Sequence, residues 1–462
     1  MDQIRLTPFM VLALALLQMA GWIPARWNSA DPAMLEIVAM TPVNCLLLEE
    51  PHWSAEFNKR AEARGIATLG VVRPGAGADA ARRALARGLS GIVLEGDFEP
   101  STAQAIRDLA RESKAVLIEL PPRAAIALRS PPPVLGTHQG VWPGIHVQDD
   151  GAAKAAPTGA PWIDTNTGFL RFLRAAAGDA PVWIGYRPPA KTVLPPERYL
   201  QAICDAALAG ARWIIALDPD FEKRLFTREP GALQTWGRMG AFLKYFEDHC
   251  EWRGWRAHGG LAMVQDADSG ALLSGSVLDM VATRNIPLRA VPRWKLGEEA
   301  LRGSKMAVSV DPDSLSEGER ESLRAFARSG GTLLNGPPGW KFAPAAKEQL
   351  TLGKDDYEKL DQIWRGVNSV VGRANLGARL FNVAGMLSNL QESPDGKQVI
   401  LHLVNYTGYP VENVTAQFTG EFRRARLMTP ETPSRELEVY PVEEGCGVDV
   451  PEVRVFATLA LE

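Results

Sequence analysis

Residues 67–120 read ATLGVVRPGAGADAARRALARGLSGIVLEGDFEPSTAQAIRDLARESKAVLIEL, and the fold class is decided in this stretch. Short aliphatic runs at 67–72, 91–96 and 114–120 have the length and composition of buried strands. Between them lie Ala- and Arg-rich segments whose apolar positions recur at helical spacing. The second helix is expected to open at Ser101, an N-cap type residue after Pro100. Strands separated by helices connect as parallel crossovers.

The same alternation extends in both directions. Upstream, CLLLEE ends at Glu50 and is followed by a helical stretch from Ser54 to Arg64. Downstream, a fifth strand falls within 134–147, and WIDTN (162–166) supplies a sixth, followed by the helical GFLRFLRAAA. VWIGYR (182–187) and WIIALD (213–218) complete the series, with a helix from about Glu197 to Ala209 between them. Eight such units predict a (β/α)₈ TIM barrel over 36–255. A doubly wound open sheet shares this alternation, but no GxGxxG follows the first strand.

Beyond a helical stretch from Glu229 to Trp252 the pattern restarts on a smaller scale. LAMVQD (261–266), LRAVP (288–292) and MAVSVDPD (306–313) read as strands, and SVLDMVATRN as a helix. A second helix has a capping box, Ser316 with Glu319 three residues on, and ends at Gly330-Gly331 before a further strand. The expectation is a small open, flavodoxin- or amidotransferase-like α/β domain at 256–345. A linker or helical segment follows at 346–377. From 378 to 462 there is no helical period. Runs such as KQVILHLVNYT, VENVTAQFT and VRVFATLALE predict an antiparallel β-sandwich.

With 462 residues, several domains are expected. The formal charge of −4 is spread along the chain without a basic stripe, which argues against nucleic acid as a partner. Residues 1–30, with Arg5 and the apolar run Pro8 to Ile23, read as a signal peptide or an N-terminal anchor. That places the protein in a secreted or periplasmic setting, with no other membrane segment. The four cysteines form no CxxC pair, and neither a metal nor any other cofactor is implied.

KMAVSVDPDSLSEGERESLRAFARSGGTLLNGP (305–337) and HLVNYTGYPVENVTAQFTGEFRRARLMTP (402–430) carry a resemblance. Together with the domain order, they resemble β-galactosidases whose catalytic barrel precedes an amidotransferase-like trimerisation domain and a small sandwich. The resemblance implies a glycoside hydrolase-like activity, a carbohydrate ligand and a homo-oligomer assembled through the middle domain. It excludes amidotransferase chemistry, because no Cys lies between Arg256 and Ala345 to act as nucleophile. In the barrel the family pattern is not met. The fourth strand ends Ile118-Glu119-Leu120 without the family's Asn, and the seventh ends Gly185-Tyr186-Arg187 without a carboxylate.

Barrel active sites are built at the C-terminal ends of the strands, and glycosidic hydrolysis needs two carboxyl groups across the scissile bond. The expected catalytic candidates are Asp164, Glu119, Glu95 and Asp218. Glu49, Trp142, His138, Asn166, Tyr186 and Arg187 are expected to bind substrate. Alternative roles are an Asp164 helix cap and a structural ion pair of Glu119 with Arg187. A non-catalytic carbohydrate-binding or envelope assembly protein on the same scaffold is the competing reading.

Overall fold

In the computed structural model the described residues are 19–143, 145–147, 153–155, 165–178, 180–188, 191–265, 285–309, 312–335, 358, 365–367 and 369–462. They form a mixed α/β chain with parallel sheets and a C-terminal antiparallel region. The chain divides into two compact units. The first draws its described residues from 1–140, 177–193 and 212–244, and the second from 141–176, 194–211 and 245–462.

In the first unit, five strands pair in parallel and in chain order: β1 (Pro24–Arg26), β2 (Cys45–Leu48), β3 (Ala67–Val72), β4 (Gly91–Glu95) and β5 (Val116–Leu120). Three more make a second parallel sheet: β6 (Leu135–Thr137), β7 (Val182–Ile184) and β8 (Arg212–Trp213), in the order β8-β7-β6. A parallel bridge between Ala25 and Ile215 joins β1 to the chain just past β8. At the other seam the Thr137 hydroxyl donates to the Pro121 carbonyl at 2.7 Å, and His138 Nδ1 lies 2.8 Å from the Leu120 carbonyl. Alternate residues along these strands fill one apolar interior, among them Leu47, Leu69, Val93, Ile118 and Trp183. Strand period 2 therefore sets which residue at each strand end continues inward.

Helices α1 (Ala55–Glu62), α2 (Gly77–Ala86) and α3 (Pro100–Glu112) link β2 to β5. Each buries a stripe of small or apolar side chains; in α3 it is Ala103, Ile106 and Ala110. The expected Ser101 cap is not the one used: Pro100 takes the first helical turn and Glu99 precedes it. Proline lacks the N–H that would go unpaired there, and its fixed φ suits the position.

Two strand assignments change. β1 lies in the stretch read as leader, directly after its apolar run, where a three-residue strand gives no separate signal. Of WIDTN, residues 162–164 lie outside the described residues, and Thr165 and Asn166 are not in a strand. β6 pairs directly with β7 (Leu135 with Val182, Thr137 with Ile184), so no strand stands between them. The following helix, α4 (Thr167–Ala177), forms as expected.

In the second unit, β9 (Leu261–Gln265), β10 (Leu288–Pro292), β11 (Met306–Ser309) and β12 (Thr332–Asn335) make a parallel sheet in the order β10-β9-β11-β12. The helix expected over SVLDMVATRN lies, except for Asn285, outside the described residues. The capping box is formed: Ser316 Oγ accepts from Glu319 N at 3.3 Å, and Glu319 Oε2 accepts from Ser316 N at 2.7 Å. The Gly-Gly stop after this helix has a steric cause. Gly330 sits at φ 95°, and a Cβ on Gly331 would fall 2.2 Å from the Phe326 ring.

Nine further strands, beginning at Ala378, and the short strand Arg256–Ala257 form a six-stranded and a four-stranded antiparallel sheet. Leu401, Leu403 and Leu459 of the larger sheet share one apolar core with Val414, Val448 and Val450 of the smaller.

Candidate active site

The interior parity of the first unit predicts its own strand-end residues. Leu47 faces inward, so Glu49 does too; the same two-residue step leads from Val71 to Arg73 and from Val93 to Glu95, and two such steps lead from Trp183 to Arg187. Trp22 likewise leads to Arg26. These five side chains form one ion-pair cluster at the C-terminal ends of β1, β2, β3, β4 and β7.

Arg73 holds Glu49 through both nitrogens, at 2.6 and 3.0 Å, and reaches Glu95 Oε1 at 3.1 Å. Arg26 Nη2 donates to Glu95 Oε2, and Arg187 Nη2 donates to Glu49 Oε1. Because Glu49 Oε1 and Glu95 Oε1 share Arg73 Nη2, they are at most about 6 Å apart. The cluster is graded in depth. Side chains of Arg26 and Glu95 are each 7% exposed, Glu49 is 20% exposed, and Arg73 and Arg187 are 42% and 48% exposed. Burial opposes ionisation of Glu95, but Arg26, Arg73 and Arg187 outweigh it and hold its carboxyl below the usual range. Burial lowers the pKa of Arg187, reinforced by repulsion from Arg26 and Arg73.

The other expected site residues separate. Glu119 is one step out of inward parity: Ile118 and Leu120 face the interior, and Glu119 makes a bidentate pair with Arg107 of α3, at 2.7 and 2.8 Å. Its partner is thus Arg107, and Arg187 pairs with Glu49 instead. Asp218 is fully buried as the N-cap of α6 (Pro219–Phe226), with Oδ1 accepting from Asp220 N and Phe221 N at 3.0 Å each. His138, partly buried, donates Nδ1–H to the Leu120 carbonyl, since a carbonyl only accepts. Tyr186 is exposed. Asp164 lies outside the described residues.

Trp142 and Asn166 belong to the second unit. Trp142 is buried with its ring edge-on to Tyr199. Asn166 ties both ends of its amide to the Val141 backbone, at 2.8 Å each, and its Nδ2 also donates to Asp205. Asp205, on α5 (Pro196–Leu208), is fully buried and accepts from Asn166, Thr167 and Tyr406. Among the described residues no group of three or more His, Cys, Asp or Glu is placed to hold a metal, and no helix is long and apolar enough to cross a membrane.

Arg26 and Arg73 were missed from sequence. Arg73 follows β3 at the position where the strand's inward parity continues, a signal that a search for carboxylates passes over. Arg26 was hidden by the leader reading.

No family model matches the chain, and no curated protein does. Among solved structures it is similar to α-L-fucosidase isoenzyme 2 from Paenibacillus thiaminolyticus, with a TM-score of 0.60 at 11% identity. That match covers 96% of this chain and 99% of the fucosidase. A rhamnosidase from Novosphingobium sp. PP1Y matches at a TM-score of 0.46 and 14% identity, over 78% of this chain and 38% of its own. The fold of this chain is thus one that a glycoside hydrolase also adopts.

Proposed function

We propose that the chain is a glycoside hydrolase whose eight parallel strands close as a (β/α)₈ barrel, with the Arg26–Glu49–Arg73–Glu95–Arg187 cluster in its mouth. The observation that carries this reading is the pair of carboxylates, Glu49 and Glu95, brought within about 6 Å of each other at the strand ends. The fold shared with an α-L-fucosidase supports it.

An upper bound of about 6 Å between the nearest oxygens favours retention, since inverting enzymes place their carboxyl groups about 6.5–9.5 Å apart and retaining ones about 5–5.5 Å apart. Glu95, kept ionised by its guanidinium neighbours, suits the nucleophile. Glu49, the more exposed of the two, is left as general acid. That role needs a proton, so a bound ligand would have to draw at least one guanidinium off Glu49. The middle parallel sheet is read as the amidotransferase-like oligomerisation domain, and the N-terminal apolar segment as a leader for export that stops before β1.

The test is hydrolysis of a broad oligosaccharide panel by the intact protein and by Glu49→Gln, with product anomers followed by NMR. A loss of at least about a hundredfold in kcat/KM with folding intact, and a retained anomer in the parent, is expected. Unimpaired Glu49→Gln or an inverted product would sink this pairing. A second reading, a carbohydrate-binding protein without catalysis, is favoured by one observation: both carboxylates are already engaged by guanidinium groups. Binding without turnover on every glycan would select it.

A further inference from the structure

The cluster is unbalanced in charge. Three guanidinium groups face two carboxylates, an excess of one positive charge among the described residues of the cluster.

The donors are also in surplus. A guanidinium carries five N–H bonds, and the two carboxylates engage only some of the fifteen in the cluster. Arg26 is most telling: its Nε and Nη1 are buried without a hydrogen-bond partner, on a side chain only 7% exposed. An unpaired buried donor is costly unless something supplies an acceptor. Arg73 and Arg187, about half exposed, keep guanidinium surface open to an acceptor from solvent. Arginine forks match planar carboxylates and sulfate-type oxyanions bidentately.

We infer that the strand-end cluster selects an anionic saccharide, one carrying a carboxylate or sulfate group, with Arg187 and Arg73 as the specificity-determining residues. The inference rests on the carbohydrate reading above and adds the charge of the substrate to it. A ligand anion also supplies the event that the reading needs, because it competes with Glu49 for Arg187.

Isothermal titration of the intact protein with matched neutral, uronate-bearing and sulfate-bearing oligosaccharides tests it, with Arg187→Gln and Arg73→Gln alongside. At least one charged class is expected to bind ten times more tightly than its neutral counterpart or better. Either variant should bring that ratio close to one, and rising salt should erode it. Arg187 is half-exposed, so Arg187→Gln should fold; the second variant reads the same quantity if it does not. The carboxylate and sulfate arms identify which anion is recognised. Equal binding of neutral and charged sugars overturns the inference and leaves the carbohydrate reading standing. Failure of every saccharide to bind overturns both. Charged sugars that bind selectively but are never cleaved uphold the inference and remove catalysis from the reading.

Discussion

Replacing Glu95 by Gln should destabilise the first unit far more than a surface ion pair would. Arg26 is 7% exposed, and Glu95 is its hydrogen-bonded partner; the nearest oxygen of Glu49 is 3.9 Å away. Glu95→Gln removes the compensating charge and strands a buried guanidinium whose Nε and Nη1 already lack partners. Breaking a buried pair from one side costs about 3–5 kcal/mol, because an uncompensated charge stays behind. Arg26→Met should cost less, since Glu95 keeps Arg73 at 3.1 Å. The double variant should be more stable than the sum of the singles implies, with a coupling near the upper part of the ~0.5–3 kcal/mol range for residues in contact. Native-state hydrogen exchange by mass spectrometry on peptides covering β1 to β4 reads this locally, free of the second unit's unfolding. Additivity within about 0.5 kcal/mol, or a cost below about 1 kcal/mol for Glu95→Gln, would refute the buried-pair reasoning.

Acid should act through the same residue. The folded-state pKa of Glu95 lies below its ordinary 4.5, so its contribution to stability is present above that value and is lost as pH falls through the lower folded value. Exchange protection of β4 should therefore drop on acidification below about pH 4.5, and Glu95→Gln should flatten that drop. Tyr406→Phe removes one of the donors to Asp205, from 2.7 Å; the expected cost at neutral pH is about 1.5–3 kcal/mol, measured by urea denaturation. Burial raises the Asp205 pKa, so its ionisation weighs on the fold as pH rises, and the Tyr406→Phe deficit should shrink at acid pH; a deficit independent of pH would contradict an ionised Asp205. Glu119→Gln breaks a partly exposed pair with Arg107 and should cost less than about 1 kcal/mol in thermal or urea melts while leaving glycan turnover unchanged. A hundredfold loss of turnover would return Glu119 to the site.

Sequence periodicity located β2 to β5 and β7 because each is a short apolar run set off from helical stretches. It also located the open parallel sheet after residue 260 and most strands of the antiparallel region. β1 could not be read, because three residues directly behind an apolar run are indistinguishable from leader sequence. Of WIDTN only Thr165 and Asn166 are described, and neither is in a strand: Asn166 turns its amide to the Val141 backbone and to Asp205, contacts made across 25 and 39 residues that no local pattern encodes. Of the strand-end ion-pair cluster, the sequence reading placed Glu49, Glu95 and Arg187 at strand ends, whereas a search for pairs of acids passed over Arg26 and Arg73. Glu119 was misplaced by a single step of strand parity, which is the difference between facing the interior and facing α3.

The position of β1 bears on how the protein should be produced and handled. Trimming the first thirty residues as if they were all leader would delete β1 and Arg26 together. Loss of β1 exposes the open edge of β2 and frees Ile215 from its bridge to Ala25. Unpaired strand edges of this kind recruit neighbouring chains. Such a shortened preparation should therefore aggregate, and its inactivity would say nothing about catalysis.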